Sequence, residues 1–564
     1  MSASSEPWWI RFFPPAGWLS AYQRNWLPAD AVAGVTLAAY AIPVSLAYAA
    51  LAGLPPQVGV YGYLLGGIGY ALFGASRQLA IGPTSAISLM IASTVGALAD
   101  GDAVRYGQIA SLAAFSVAAL CLIAWLFRLS VLVRLVSDSI LVGFKAGAGL
   151  TIIMSQLPSL LGVAGGGHNF FDRVIKLTGQ LGHVDPLVLA IGAVVLLLLL
   201  LGERFLPGKP VGITIVALSI VASTLLGFSS LGVAVTGKIP EGLPALGLPT
   251  FGLLEFDDLF PLAAGCVLLA YIEGVSAARS FAAKHGYPLD VRQEFLGLGA
   301  ANLAAAFGHG YPVAGGLSQS AVNDSAGART PLALVICSVT LGLCLLFFTG
   351  LLTNLPKAVL AAIVFAAVYR LVDVRALLRM WQVSRIDFYA AAIALVSVLL
   401  LGILQGVLLA SIASIFLLLA RASQPNVAFL GRLPGSGRYS DSARHDGVEP
   451  LAGVIAFRPE ASLLYINAET ILETVLVAIR NSPDIRLVAC DLSASPYIDL
   501  AGARMLHDLY DELASRQVAF CIVGAHAQLR DLLRAEGLAE RTDSGQWLRS
   551  LDSVLGDDPA SIAN

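Results

Sequence analysis

QLAIGPTSAIS (residues 78–88) and YPVAGGLSQS (residues 311–320) are two mainly apolar stretches that break in their middle. Each opens with a few extended residues, breaks at Gly-Pro or Gly-Gly, and continues as a small-residue helical run. Ser and Thr stand where each helix begins, as N-caps prefer. Non-helical backbone at membrane depth is tolerated only where protein or a water-filled cavity satisfies its polar groups. Two half-helices starting there aim unpaired N–H groups and positive dipole ends at the space between them. The product is an anion site without a formal cation. A single such break also reads as a kink packed by small residues. The pair argues otherwise, because AIPVSLA (41–47) and YIEGVSA (271–277) precede the two breaks at nearly the same interval. Paired Gly/Pro-interrupted segments in the two halves are the sequence mark of a transporter's binding site.

The surrounding sequence has the composition of a membrane protein. Mean hydropathy is +0.78, 57% of the 564 residues are hydrophobic and 13% are charged. Soluble domains carry about twice that charged fraction. A net charge of −3 argues against nucleic acid as a partner, since such binders are basic. A span needs roughly 20 apolar residues. Stretches near 31–52, 58–74, 107–127, 186–201, 211–227, 332–352, 356–369 and 387–420 qualify or come close. The last is too long for one span, and Gly402–Gly406 reads as a turn within it. Hydropathy alone gives about a dozen crossings.

Charges at depth are the next candidates. Glu273 lies inside PLAAGCVLLAYIEGVSAA (261–278), where a carboxylate is expensive unless paired or wet. Desolvation raises such an acid's pKa, so it can exchange protons near neutral pH. A structural carboxylate bonded to helix-terminal N–H groups is the competing reading. Lys145, in LVGFKAGAGL (141–150), either attracts an anion or pairs with an acid; snorkelling to the interface is the alternative. His309 precedes the second break and titrates in the relevant range unless it is a satisfied structural histidine. Tyr40, Lys145 and His309 together are assigned to an access path.

Orientation follows the basic residues. With a cytoplasmic amino terminus, one set of loops carries Arg128 and Arg134, Arg204 and Lys209, Arg279, Lys284 and Arg292. The same set continues with Arg329, the cluster Arg370, Arg375, Arg379 and Arg385, and Arg421. The opposite loops hold few basic residues and the acidic Glu255, Asp257 and Asp258, so both termini are expected in the cytoplasm. Residues 1–29, with Trp8, Trp9, Arg11, Phe12, Phe13 and Trp18, read as an interfacial segment rather than a signal peptide. Six scattered cysteines without metal-ligand spacing predict free thiols and no metal. Residues 30–422 are the transport domain and 423–449, rich in Gly, Ser, Pro and Arg, a polar linker. Beyond it LLYIN (463–467), IRLVACDLS (485–493) and VAFCIVG (518–524) read as strands. Helices near 469–480, 501–516 and 526–536 alternate with them, which indicates a small α/β domain over 450–555. A tail follows at 556–564.

Three stretches carry a family resemblance: DAVAGVTLAAYAIPVSLAYAALAGLPPQVGVY (30–61), IGPTSAISLM (81–90) and GLGAANLAAAFGHGYPVAGGLSQSAVNDSAGARTPLA (297–333). In their order along nearly the whole chain they resemble the sulfate permease (SulP) family and its eukaryotic solute-carrier anion exchangers. The resemblance implies an α-helical polytopic membrane protein of fourteen segments, in two inverted repeats of seven that form core and gate domains. It implies a homodimer, a bacterial inner-membrane location, and a cytoplasmic STAS domain at the carboxyl end, where CDLSASPYIDLAGARML (490–506) matches that fold's signature. Carried over by position, the substrate site comprises Gly82, Pro83, Thr84, Ser85 and Ala86, Gly316, Leu317, Ser318, Gln319 and Ser320, with Glu273 as the coupling residue. Family members move sulfate, bicarbonate, chloride or small dicarboxylates, often with protons or sodium. Many relatives have Arg where this chain has Gln319, which leaves dipoles and hydroxyls to hold the anion and favours proton symport through Glu273. The serine phosphorylated in stand-alone STAS proteins is Ala501 here, so that switch is absent. A dimerisation or regulatory role with a cytoplasmic partner remains.

Three function classes compete: a secondary active anion transporter, an uncoupled channel or uniporter, and a membrane-tethered regulator acting through the STAS domain. Sodium coupling is the alternative to protons, since a carboxylate beside hydroxyls also makes a sodium site. No P-loop, GxSxG, HExxH or cofactor fingerprint is present, so neither an enzyme nor a cofactor is expected.

Overall fold

The computed structural model describes residues 18–19, 22–129, 138–167, 169–205, 211–237, 240–249, 256–435, 438–445, 447–542, 547 and 549–555. The expectations on Trp8 to Phe13, Arg134, Lys209, Glu255 and the tail lie outside these residues. The chain divides into two compact units, Met1–Ser414 and Ile415–Asn564.

The first unit is helical apart from two short strands, β1 (Ile81–Gly82) and β2 (Ala314–Gly315). Its helices run Leu27–Leu51, Pro56–Phe73, Ser85–Leu98, Ala103–Leu126, Asp138–Leu161, Phe170–Gln180, Pro186–Phe205 and Val211–Leu226. The second half continues with Phe256–His285, Val291–Phe307, Leu317–Ser325, Leu332–Phe347, Lys357–Val368, Val374–Val383, Arg385–Leu401 and Ile403–Ser423. Among the described residues, four helices are each long and apolar enough to cross a bilayer alone, and several shorter apolar ones accompany them. Gly402, at φ 92°, is the single residue that breaks the long apolar run 387–420. The left-handed backbone there suits glycine because no Cβ meets the following carbonyl.

Packing sorts most of these helices into two groups. Val291–Phe307 packs on Pro56–Phe73 and Ala103–Leu126, and Leu332–Phe347 packs on Leu27–Leu51. Asp138–Leu161 instead packs on Arg385–Leu401 and Lys357–Val368. Small residues permit that second contact: a Cβ on Gly143 would fall 1.9 Å from the carbonyl oxygen of Ala391. Close backbone approach through small residues is how helices associate where water gives no apolar driving force. The polar start of the first motif also finds a packing role. Asp30 is fully buried and accepts from the backbone N–H of Arg329 (2.7 Å) and Thr330 (3.1 Å) and from the Thr330 hydroxyl (2.7 Å).

The second unit holds a five-stranded sheet in the order Tyr439–Asp441, Val427–Arg432, Val454–Pro459, Leu487–Asp491, Ala519–Val523. The strands are β3 (Val427–Arg432), β4 (Tyr439–Asp441), β5 (Val454–Pro459), β6 (Leu487–Asp491) and β7 (Ala519–Val523). β3 pairs antiparallel with β4 and β5, while β5, β6 and β7 are parallel. Helices Ala468–Arg480, Leu500–Ser515 and Ala527–Ala535 follow β5, β6 and β7, and Ile471, Val475, Leu506, Leu509 and Leu529 are buried in the shared core. Two sequence expectations are corrected here. Residues 423–449 are not simply a linker, because they supply β3 and β4; the apolar VAFLGR was outweighed by its Gly- and Ser-rich surroundings. LLYIN is a turn, and its bridge from Leu463 to Ile498 lies outside the sheet. Asn467 and Asp499 satisfy its backbone instead, by accepting from the N–H groups of Leu464 (2.9 Å) and Tyr465 (2.8 Å). All six cysteines are free.

Candidate functional site

The two interrupted stretches meet. Ile81–Gly82 (β1) pairs antiparallel with Ala314–Gly315 (β2), with Gly82 opposite Ala314 and Ile81 opposite Gly315. Helix Ser85–Leu98 starts just beyond β1 and helix Leu317–Ser325 just beyond β2. Their N-cap positions are Thr84 and Gly316, and neither supplies a side-chain capping bond. The first-turn N–H groups of both helices are thus left without the usual side-chain acceptor, as an anion-binding helix terminus requires. The Thr84 hydroxyl is buried and has no hydrogen-bond partner among the described residues. An orphaned buried hydroxyl is unfavourable by roughly 1–3 kcal/mol unless something fills its valence.

Steric fit holds the first break in place. A Cβ on Gly82 would lie 2.2 Å from the Tyr63 ring, so only glycine allows that ring against the strand. On the facing strand, a Cβ on Gly315 would fall 3.0 Å from the Cα of Gly274, the neighbour of Glu273. The helix carrying Glu273 therefore packs its backbone directly on the ribbon.

The ten carried-over positions divide by what their side chains do. Gly82, Pro83, Ser85 and Ala86 are buried at the first helix start, and Leu317 and Ser318 are exposed at the second. Gln319 and Ser320 are committed to the scaffold. The Gln319 amide donates to the carbonyls of Ala80 (3.0 Å) and Ala314 (3.1 Å). The Ser320 hydroxyl accepts from the N–H of Ala80 (2.9 Å) and donates to the carbonyl of Gly316 (2.7 Å). Sequence reasoning placed both among direct ligands, and the structure uses both to tie one break to the other. Asn302 and Asn323 extend that tie: Asn302 bonds both the N–H (2.9 Å) and the carbonyl (3.0 Å) of Val313, and Asn323 donates to the carbonyl of Gln78 (3.0 Å).

Glu273 is half-buried, and the charge that acts on it is Lys145 of helix Asp138–Leu161. Tyr48, which the sequence reading missed, is buried with its hydroxyl in reach of Ser85 and in the field of Glu273. Tyr63 was missed as well; its hydroxyl is buried without a hydrogen-bond partner among the described residues, beside Tyr40, Tyr48 and Cys337. Tyr40 thus lies near the Tyr63 hydroxyl. A signal for Tyr48 was available, because eight positions on from Tyr40 falls within one ~100° stripe of a helix. His309 is exposed, in the left-handed region at φ 54°, with its ring against Gly247 rather than against either break.

Comparison with known proteins agrees with this architecture. Residues 27–394 match the model of the sulfate permease family and residues 445–548 that of the STAS domain. “Probable sulfate transporter MT1781” of Mycobacterium tuberculosis is 34% identical over 96% of this chain and 98% of its own length. The murine anion transporter Slc26a9 in its inward-facing state superposes with a TM-score of 0.89 at 21% identity, covering 99% of this chain and 95% of that one. The transmembrane domain of the cyanobacterial bicarbonate transporter BicA covers 70% of this chain and 98% of its own, with a TM-score of 0.61 at 24% identity. Its helical fold with a STAS domain and its family match make this chain a member of the sulfate permease family of anion transporters, not an enzyme.

Proposed function

We propose that this protein is a secondary active transporter of small anions, with sulfate the first substrate to test and protons coupled through Glu273. The observation that carries the reading is the pair of uncapped helix starts, at Ser85 and Leu317, set side by side by the β1–β2 ribbon. Such termini bind anions through N–H groups and dipole fields, needing no formal positive charge. The orphaned Thr84 hydroxyl adds a donor at the same place. Sulfate leads because the M. tuberculosis relative is described as a sulfate transporter; bicarbonate and a dicarboxylate such as fumarate present similar oxygen acceptors.

Coupling follows from electrostatics. A charged Glu273 beside an anion site repels the substrate, and a protonated one does not. Proton and anion uptake then favour each other. Lys145 is the counter-charge on the carboxylate when the site is empty. A sodium ion at Glu273, with the Ser85 and Tyr48 hydroxyls nearby, is the second reading, and uncoupled flux the third. Fourteen segments in two inverted repeats, a core moving against a gate, a homodimer and a cytoplasmic STAS domain in a bacterial inner membrane complete the proposal.

Uptake into proteoliposomes of labelled sulfate, bicarbonate and fumarate tests it, with and without an inward proton gradient and with Glu273→Gln. Gradient-driven accumulation of one anion, abolished in the variant while downhill exchange persists, is the expected result. Accumulation that follows a sodium gradient replaces the proton with sodium. Downhill flux alone, unchanged in the variant, overturns coupling through Glu273.

A further inference from the structure

Helix Val374–Val383 differs from its neighbours in burying no residue at all, although it is strongly amphipathic. Its sequence, VRALLRMWQV, sorts into three faces at helical spacing. Ala376, Leu377 and Met380 are half-buried against the rest of the unit. Val374, Leu378 and Trp381, spaced four and three apart, are 55%, 57% and 42% exposed. Arg375 and Arg379 stand on a third side and are exposed, as is Arg385 just beyond the helix. The Arg385 guanidinium lies 4.9 Å from the centre of the Trp381 ring. No carboxylate within 4 Å answers these three arginines among the described residues. Of the two nearest acids in the sequence, Asp373 and Asp387, Asp373 instead accepts from the backbone N–H of Ala376 (2.9 Å).

An exposed apolar stripe beside an unanswered cationic stripe is the profile of a helix lying in a membrane surface. The apolar side chains enter the acyl boundary, Trp381 sits at headgroup depth, and the arginines extend sideways to phosphates. The other amphipathic helix of the unit, Phe170–Gln180, is a useful contrast. It also exposes apolar residues, Phe171 (47%) and Ile175 (70%). Its cations, however, are already engaged: Lys176 pairs with Asp172 at 3.5 Å and Arg173 donates to the carbonyl of Gly167 at 3.2 Å.

We propose that Val374–Val383 and Arg385 form a docking surface for anionic phospholipid headgroups, bound through Arg375, Arg379 and Arg385. Arginine suits this role because its planar fork matches phosphate oxygens in bidentate fashion. Phosphatidylglycerol serves as the probe. Each arginine near a charged bilayer contributes on the order of 1 kcal/mol, or about fivefold in binding.

The test measures the thermal unfolding midpoint of the full-length detergent-solubilised protein during titration with phosphatidylglycerol, phosphatidylcholine or soluble glycerol phosphate. The expected result is stabilisation by phosphatidylglycerol alone. Replacement of Arg375, Arg379 and Arg385 together by Gln should raise the half-saturating lipid concentration by at least roughly tenfold. Replacement of all three by Lys should restore much of it, and Arg421→Gln should have no effect. Equal stabilisation of the parent and the triple Gln variant overturns the proposal. So does equal response to glycerol phosphate, which indicates a soluble-anion site. If Leu378→Ser lowers the oligomer mass without changing the lipid response, a second copy of the chain covers this face and the proposal is wrong. The readout needs no transport, so it stands or falls separately from the substrate reading.

Discussion

Replacing Gln319 by Glu is the sharpest test of how the paired breaks are held. The two side chains have nearly the same shape, and only the donor capacity changes. In the structure the amide donates to two carbonyls, those of Ala80 and Ala314, at 3.0 and 3.1 Å, and Gln319 is only 4% exposed. A charged Glu removes both bonds and faces two carbonyl oxygens; a protonated one restores at most one bond. Each lost bond is worth about 1 kcal/mol net, and each stranded carbonyl adds about 1–3 kcal/mol. Ala80 keeps a long bond from the N–H of Gly316 at 3.4 Å, so its carbonyl is not fully abandoned. Two lost bonds and the stranded Ala314 carbonyl give a total near 3–5 kcal/mol for the charged form, roughly a hundredfold or greater shift of the closed ribbon toward an open one. The assay is thermal unfolding of the purified variant without any anion, together with the KM of proteoliposome uptake. A lowered melting temperature in anion-free buffer and a raised KM are expected, and Gln319→Met should reproduce most of both. If the anion-free variant melts as the parent does and only the affinity falls, Gln319 is a substrate ligand and the scaffold reasoning fails.

Two further predictions come from packing and titration. Gly82→Ala should force the Tyr63 ring away from a contact of 2.2 Å, destabilise by about 1–3 kcal/mol and impair uptake. Adding Tyr63→Leu should recover part of the loss, and a Gly82→Ala protein with parental KM would remove the steric argument. In the second unit, burial pushes the Cys521 thiol up from the ordinary 9.0 to about 12. The folded form therefore holds its proton while the unfolded thiol ionises, so this group's contribution to stability falls as pH rises from about 9 to about 12. Peptide mass spectrometry after maleimide treatment at pH 8 should find Cys521 unmodified until the domain is unfolded.

Much of this protein is written locally, and those parts were readable. Long apolar runs bounded by Arg and Gly announce their helices, and Gly402 marks its break because a left-handed residue between two helices suits glycine. The Gly-Pro and Gly-Gly steps betray the half-helices because no continuous span accommodates them. What could not be read is what one half of the chain does to the other. Gln319 and Ser320 look like ligands from the sequence because polar side chains at a helix start usually face a site. In the structure both bond backbone groups of Ala80, 239 and 240 positions away, which no local pattern announces. Tyr63 likewise becomes significant only once Gly82 lies against its ring. In the second unit β3 was hidden by its flanks, and LLYIN was mistaken for a strand because Asn467 and Asp499 supply the backbone partners that a sheet would have supplied.

The β1–β2 ribbon also constrains how this protein is made. Gln78 to Gly82 emerge from the ribosome long before Ala314, Gln319 and Asn323 exist to bond them. Until then their peptide groups need water or a chaperoning partner, since an unpaired peptide in hydrocarbon is several kcal/mol out of balance. Insertion of the helices up to Val211–Leu226 therefore cannot by itself produce a finished site, and closure is a late event that waits for the second half to arrive. Substitutions at Gln319 or Asn302 should accordingly yield chains that reach the membrane yet fail quality control there, a defect of assembly rather than of transport.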